Sequence, residues 1–267
     1  MNHLLIAGAG FLGSEIARLA APEFHVSTLT KSGGEGSLTC DLSDPAAIQN
    51  LPSQIPTPDL IIFSASSGRG GPEAYRNIFL NGTRLLKETF PDAHLVFTSS
   101  TSVYHQIHGE DVDESSPTDP DRETSQILLQ TEDQIDTAAR LGGLYGPNRS
   151  VVFRKFMDGS ALIEEDGRRI LNQIHVTDAA RACLFLAKAK HSGVFNVTDD
   201  DPMSQLACYT AMANHFDKPL PLTGERHLSR KRAWTHKLVK NNKLRDLGWE
   251  PVFPSFLDAL DSLASAS

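Results

Sequence analysis

The sequence predicts an α/β fold: an open, doubly wound parallel sheet with a small, mostly helical lobe after it. Three observations carry this. Five short apolar runs of strand length, Leu4–Ala7, Phe24–Thr30, Ser37–Cys40, Leu60–Ser64 and His94–Ser99, alternate with helical spacing. The first run breaks on a glycine-rich turn that opens a helix. From Asp199 onward the pattern changes to helices joined by longer loops.

The turn reads Gly8-Ala9-Gly10-Phe11-Leu12-Gly13, a G-x-G-x-x-G between a buried-type strand and a helix with apolar positions at Leu12, Ile16, Leu19 and Ala20. In that context the pattern is a dinucleotide fingerprint. Gly8 permits the tight turn, Gly10 lets backbone approach a pyrophosphate, and Gly13 lets helix and strand pack closely. The start of the helix, at Phe11 and Leu12, offers N–H groups and a partial positive charge to phosphate. The expected fold is therefore Rossmann-type, with a bound dinucleotide.

The second strand ends at Thr30-Lys31-Ser32, with no acid before Glu35. A carboxylate there would hold a ribose 2′-OH, whereas a lysine flanked by hydroxyls suits a 2′-phosphate. NADP is thus expected over NAD, the alternative being a solvated Lys31. After the third strand, Asp41 and Leu42 stand where a carboxylate meets an adenine amino group; Asp41 could equally cap the next helix together with Asp44. Pro52, Pro56 and Pro58 mark a loop. Ser64-Ala65-Ser66 follows the fourth strand as a small-residue turn against which a flat cofactor can lie. A helix is expected over Pro72–Phe90. The fifth strand ends on the hydroxyls of Ser99-Ser100-Thr101-Ser102.

An acidic loop follows at Gly109–Asp121, then a helix at Arg122–Asp133, a strand at Thr137–Leu144, a short helix at Val151–Met157, a polar loop at Glu164–Arg169, a helix at Ala179–Ala189 and a strand at Val194–Val197. Helices at Ser204–Phe216, Asn241–Leu247 and Ser255–Ala264 make up the remainder. The expected division is residues 1–197 for the cofactor domain, with 148–172 reaching the substrate cleft, and 198–267 for the lobe.

With 267 residues the chain is long enough for such a domain and lobe. Its net charge of −8 argues against nucleic acid and anionic membrane surfaces as partners. No apolar stretch nears the ~20 residues that span a bilayer. The first residues carry no basic n-region, so a secretory signal is not expected and the cytoplasm is the expected compartment. Cys40, Cys183 and Cys208 show neither disulfide nor zinc spacing.

Six stretches in this order, GAGFLG, SSTSVY, ARLGGLYGP, NQIHVTDAARA, GVFNVTDDDP and KNNKLRDLGWEP, resemble the extended short-chain dehydrogenase/reductases, the family of nucleotide-sugar epimerases and dehydratases. The likeness runs over nearly the whole chain. It implies an NAD(P) cofactor, a lobe that closes over a small hydroxylated substrate, hydride transfer, and in many members a homodimer; here a monomer or homodimer is expected. The resemblance also implies a Ser or Thr that orients substrate, matched by Ser100, and a Tyr-x-x-x-Lys dyad on the Arg122–Asp133 helix. Aligned on Glu132, the dyad positions hold Thr124 and Leu128. None of the four tyrosines, Tyr75, Tyr104, Tyr145 and Tyr209, has Lys four residues on. The chain therefore resembles the atypical branch of the family. Its expected function is an oxidoreductase or epimerase with a non-standard acid/base; the alternative is a dinucleotide-loaded sensor without turnover.

Tyr104, with His105 and His108 beside it, is the candidate substitute acid/base; the competing reading makes Tyr104 a packing residue and the histidines solvated. These histidines with Glu110 and Asp111 are too weakly patterned for a metal site, and none is expected. His175 reads as a buried, hydrogen-bonded imidazole. Arg149 is the candidate for an anionic substrate group, ahead of Arg168, Arg169 and Lys240. The basic cluster Arg226–Lys243 either holds a phosphate-bearing substrate or faces water.

Overall fold

The structure, a computed structural model, describes residues 1–34, 36–68, 70–225 and 234–265. Glu35 and residues 226–233 of the basic cluster lie outside them. The chain divides into two units. The first comprises residues 1–103, 118–140 and 179–195; the second comprises 104–117, 141–178 and 196–267. The C-terminal lobe thus takes up two internal stretches that a boundary at residue 197 assigns to the cofactor domain.

The sheet has seven strands. In chain order they are β1 (His3–Ala7), β2 (His25–Thr30), β3 (Ser37–Thr39), β4 (Leu60–Phe63), β5 (His94–Ser100), and two further ones at Thr137–Leu141 and Gly193–Val197. Their spatial order from one edge is β3, β2, β1, β4, β5, Thr137–Leu141, Gly193–Val197. β1 pairs in parallel with both β2 and β4, β2 with β3, and β4 with β5. The strand order reverses between β1 and β4, and open α/β sheets bind ligands beyond the strand ends at such a switch point. β1 and β4 are buried along their whole length, which explains their unbroken apolar runs.

Helix α1 (Phe11–Ala20) buries Leu12, Gly13, Ile16 and Ala20. The expected Pro72–Phe90 helix is interrupted: Pro72–Tyr75 leads into a π turn, Arg76–Asn81, before Gly82–Thr89 resumes α geometry. The wider turn displaces backbone pairing, and Gln134 Nε2 donates to the Leu80 carbonyl at 2.6 Å. The Glu123–Glu132 helix buries Ser125, Ile127, Leu128, Thr131 and Glu132.

In the second unit the acidic loop contains a strand, Glu110–Val112, in parallel register with Lys237–Val239. The Thr137–Leu144 expectation splits at Gly142: Gly143–Tyr145 forms a separate strand beside Gln173–His175. A Cβ on Gly142 would meet the Asn172 carbonyl oxygen at 3.0 Å, so the close approach of backbones explains the glycine. The polar loop at 164–169 begins inside a strand pair, Ile163–Glu164 with Thr223–Gly224. Tyr145, Phe153, Phe156, Cys208, Tyr209 and Phe256 centre the unit's core. Asp178 accepts the backbone N–H groups of Val252 and Phe253 at 2.7 and 2.9 Å, fastening the last segment.

Candidate cofactor site

At the C-terminal end of β1 the backbone turns so that Gly8 takes φ +107°, a conformation side chains rarely adopt. The N–H groups of Gly8 and Ala9 both donate to the Leu29 carbonyl, at 3.0 and 2.9 Å. A Cβ on Gly8 would meet Ala65 Cα at 2.4 Å, and one on Gly13 would meet the Gly8 carbonyl oxygen at 2.0 Å. Ser64 Oγ donates to that same carbonyl at 2.9 Å. Ser64 and Ala65 thus form one wall of the turn, and Ser66 Oγ accepts the Gly68 N–H at 3.1 Å.

Gly10 differs from its neighbours: a Cβ there would meet nothing within 4 Å. Its hydrogen faces a space that a side chain would fill. Among the described residues no side chain caps α1, whose N-cap is Gly10. Helix starts normally recruit a hydroxyl or carboxylate for their orphan N–H groups; an anion does the same work. Across the turn, the buried hydroxyl of Thr30 has no hydrogen-bond partner among the described residues. An open backbone approach, an uncapped helix start and an orphaned hydroxyl fit a phosphate-bearing dinucleotide.

Lys31 and Asp41 are joined, Nζ to Oδ2 at 2.8 Å. Asp41 also accepts the Ser43 N–H and hydroxyl at 3.0 and 2.7 Å. Lys31 first, then Ser43, hold its carboxyl down at about 2. The cap on the following helix falls to Asp44, which accepts Ala46 N–H at 3.0 Å. Asp41 therefore does not share that cap, and the two residues assigned to opposite ends of an adenosine 2′-phosphate neutralise one another. Leu42 lies buried beside them, its carbonyl 2.8 Å from where a Gly82 Cβ would stand.

At the end of β5, Ser100 Oγ accepts the Ser102 N–H at 3.2 Å and keeps its own proton to donate. The preceding residue is locked: Ser99 Oγ donates to Glu132 Oε1 at 2.5 Å, and Arg140 clamps the same carboxylate, Nη2 to Oε2 at 2.6 Å, with all three residues buried. The sequence signal for this cluster was an Arg inside a strand pattern and a Glu on an otherwise buried helix face. On the Glu123–Glu132 helix, Thr124 is half-buried and Leu128 is 5% exposed, part of the core.

Tyr104 is fully buried. Its hydroxyl donates to Asn196 Oδ1 at 2.8 Å, and its carbonyl accepts Lys237 Nζ at 2.5 Å. These are the contacts of a packing residue, so the expectation of Tyr104 as a substitute acid/base is not carried forward. Lys237 corrects a second expectation: it belongs to the basic cluster but is 3% exposed, and burial holds its pKa down at about 7, with Arg169 adding to the effect. Lys240 pairs with Asp111 at 3.2 Å.

Arg149 is exposed on a tight turn closed by two backbone bonds with Gly146, with Asn148 at φ +60°. His175 is buried, Nδ1 accepting the Thr177 N–H at 3.2 Å, its ring 4.1 Å from that of Phe253. His105 is half-buried and His108 exposed, and the His108 N–H donates to Glu110 at 2.8 Å. Among the described residues no three His, Cys, Asp or Glu side chains gather as a metal site, and no helix is long and apolar enough to cross a membrane.

Among proteins of known name, the chain is 29% identical over 147 residues to a 3-diazoavenalumate denitrifying reductase of a Streptomyces species. That match covers 50% of this chain and 48% of the relative, so it spans about half of that protein's length. Among solved structures it resembles a human epimerase family protein, SDR39U1, with NADPH (TM-score 0.82, 16% identity, 99% of this chain and 100% of that one). It also resembles the UDP-glucose 4-epimerase of Thermus thermophilus in complex with NAD (TM-score 0.81, 19% identity, 99% and 98%). At these identities the structures speak for the fold. The family model for the NAD dependent epimerase/dehydratase family matches residues 4–198, and with the glycine turn, the switch point and the open approach at Gly10 already in place, the chain belongs to that family, an oxidoreductase family whose cofactor is NAD(P).

Proposed function

We propose that this chain is an NADPH-dependent reductase whose substrate brings its own activation. Bound NADPH would supply a hydride. Gly8, Gly10, Phe11, Leu12 and Gly13 cradle the pyrophosphate; Thr30 and Lys31 take the 2′-phosphate, Lys31 exchanging Asp41 for it; Asp41 and Leu42 border the adenine; Ser64, Ala65 and Ser66 form the flat wall. Ser100 donates its free proton to a polar atom of the substrate.

One observation supports this most: Leu128 is buried at the position where the family places its lysine. Oxidising or epimerising an alcohol needs a base for the hydroxyl proton, help commonly worth about 10²–10⁴-fold. A Thr at 124 and an aliphatic core residue at 128 supply no such base. Reduction of an electrophile has the opposite need. A hydride adds to carbon, and either water protonates the product or a leaving group departs. The named reductase acts, by its name, on a diazo compound, which fits the latter case. Small hydroxylated and nucleotide-sugar-like substrates then enter as carbonyl forms to be reduced. The same buried Leu128 favours the alternative of a cofactor-loaded sensor.

The test is single-turnover transfer of deuterium from [4-²H]NADPH to activated carbonyl and aryl diazonium acceptors. Deuterium in product, lowered about 10- to 100-fold in Ser100→Ala, supports the reductase. NADPH binding with no transfer to any acceptor supports the sensor.

A further inference from the structure

The second unit contains a cavity of ≈ 530 Å³ that shares no residue with the proposed cofactor or substrate positions. Its volume is that of a small-molecule site. One wall is the end of the Val151–Met157 helix and the segment that follows it, with Phe156, Met157, Ala161 and Leu162. The other wall is Lys218-Pro219-Leu220-Pro221-Leu222. Leu220 is 45% exposed and Leu222 80% exposed, large apolar side chains left to water beside a concave apolar surface.

Both walls are held by backbone. Ile163 N–H donates to the Leu222 carbonyl at 2.9 Å, Ala161 N–H to the Lys155 carbonyl at 2.8 Å, and Lys218 N–H to the Ala213 carbonyl at 3.0 Å. Pro219 and Pro221 fix φ on either side of Leu220. A preformed site loses little freedom on binding.

The charge of the lining selects the ligand. Among the described residues Lys218 is the only ionisable one in the lining, exposed and without an ion-pair partner. Arg154 and Lys155 stand in the preceding helical turn. The nearby carboxylate of Asp158 is occupied, accepting the Ser160 N–H and hydroxyl at 2.9 and 2.5 Å. Asp217 adjoins Lys218 in sequence but does not line the cavity.

We infer that this cavity binds a small monocarboxylate with an extended apolar body, the body lying between Met157–Leu162 and Leu220–Leu222 and the carboxylate on Lys218. The site stands independently of the reductase reading.

The probe is decanoate, titrated calorimetrically against the full chain, with decanol as its uncharged counterpart and NADPH binding as the control for folding. Saturable decanoate binding is expected, at least about 10-fold tighter than decanol. Lys218→Gln should remove that preference and leave decanol and NADPH binding unchanged. Leu220→Asp, at an exposed position, should abolish decanoate binding by repulsion. Met157→Trp should fill the cavity and remove both ligands. Absence of saturable decanoate binding overturns the site. Equal affinity for acid and alcohol, or decanoate binding that survives both Lys218→Gln and Leu220→Asp, overturns the assigned ligand class.

Discussion

The glycine turn and the Glu123–Glu132 helix are two parts of the same unit with opposite chemistry. At the turn every residue is constrained by what lies beside it: Ala65 against Gly8, the Gly8 carbonyl against Gly13, open space at Gly10. On the helix, Thr124 and the buried Leu128 stand where the sequence resemblance aligns a proton-handling pair, and the buried carboxylate of Glu132 is spent on Arg140 and Ser99. On the proposed reading, the difference teaches that holding a dinucleotide and handling a substrate proton are separable tasks. One requires backbone geometry, the other two side chains.

The largest expected effect is at the turn. Gly13→Val drives a branched side chain into the Gly8 carbonyl, where even a Cβ would sit at 2.0 Å. NADPH affinity should fall by about 1000-fold or more, read by fluorescence titration. A variant that still binds tightly would mean the turn is not the cradle. Next, Glu132→Ala strands the Arg140 guanidinium among buried groups and frees Ser99, at a cost of about 3–5 kcal/mol in urea unfolding. If the loss is under about 1 kcal/mol, the helix is not locked to β5 as described.

Lys237→Met gives a smaller effect with a pH signature. The amine's pKa is about 7 when folded, against an ordinary value of 10.5. Between these values the unfolded chain binds a proton that the folded chain does not, so stability rises with pH across that window. Below about pH 7 both states are charged and the folded state bears the whole desolvation cost. The substitution should therefore stabilise by about 2–4 kcal/mol at low pH and by progressively less toward pH 10.5; thermal unfolding at several pH values measures it. A gain independent of pH would show that the amine is not the cause. The smallest effect sharpens the cofactor assignment. Lys31→Ala should weaken NADPH by about 10-fold, or ~1.4 kcal/mol, and leave NADH unchanged. Equal losses for both would assign Lys31 to the loop alone.

What was legible in the sequence follows from range. β1, the turn and α1 are local as a pattern: strand, glycines and helix lie within residues 3–20, and the spacing of the glycines carries the signal even though Ala65, which crowds Gly8, comes much later in the chain. The strand at Glu110–Val112 reads as an acidic loop because its partner, Lys237–Val239, comes far later in the chain. Lys237 reads as one of a basic cluster that holds phosphate or faces water for the same reason; Tyr104, whose carbonyl it meets, belongs to another stretch. Lys31 and Asp41 were each legible as polar residues near a strand end, but their 2.8 Å contact depends on how β2 and β3 align. The π turn has no sequence signature comparable to a proline; in the structure the Leu80 carbonyl within it accepts Gln134 Nε2.

The comparison between turn and helix comes to a point in the pH dependence of hydride transfer. Single-turnover deuterium transfer from [4-²H]NADPH to an activated aldehyde acceptor, followed by mass spectrometry from pH 6 to pH 11 (a span that takes in the ordinary midpoints of a phenol and an amine, about 10 and about 10.4), reads it directly. The account predicts transfer whose rate is flat across that range and insensitive to Tyr104→Phe. A rate that rises on a single ionisation and collapses in Tyr104→Phe would contradict it.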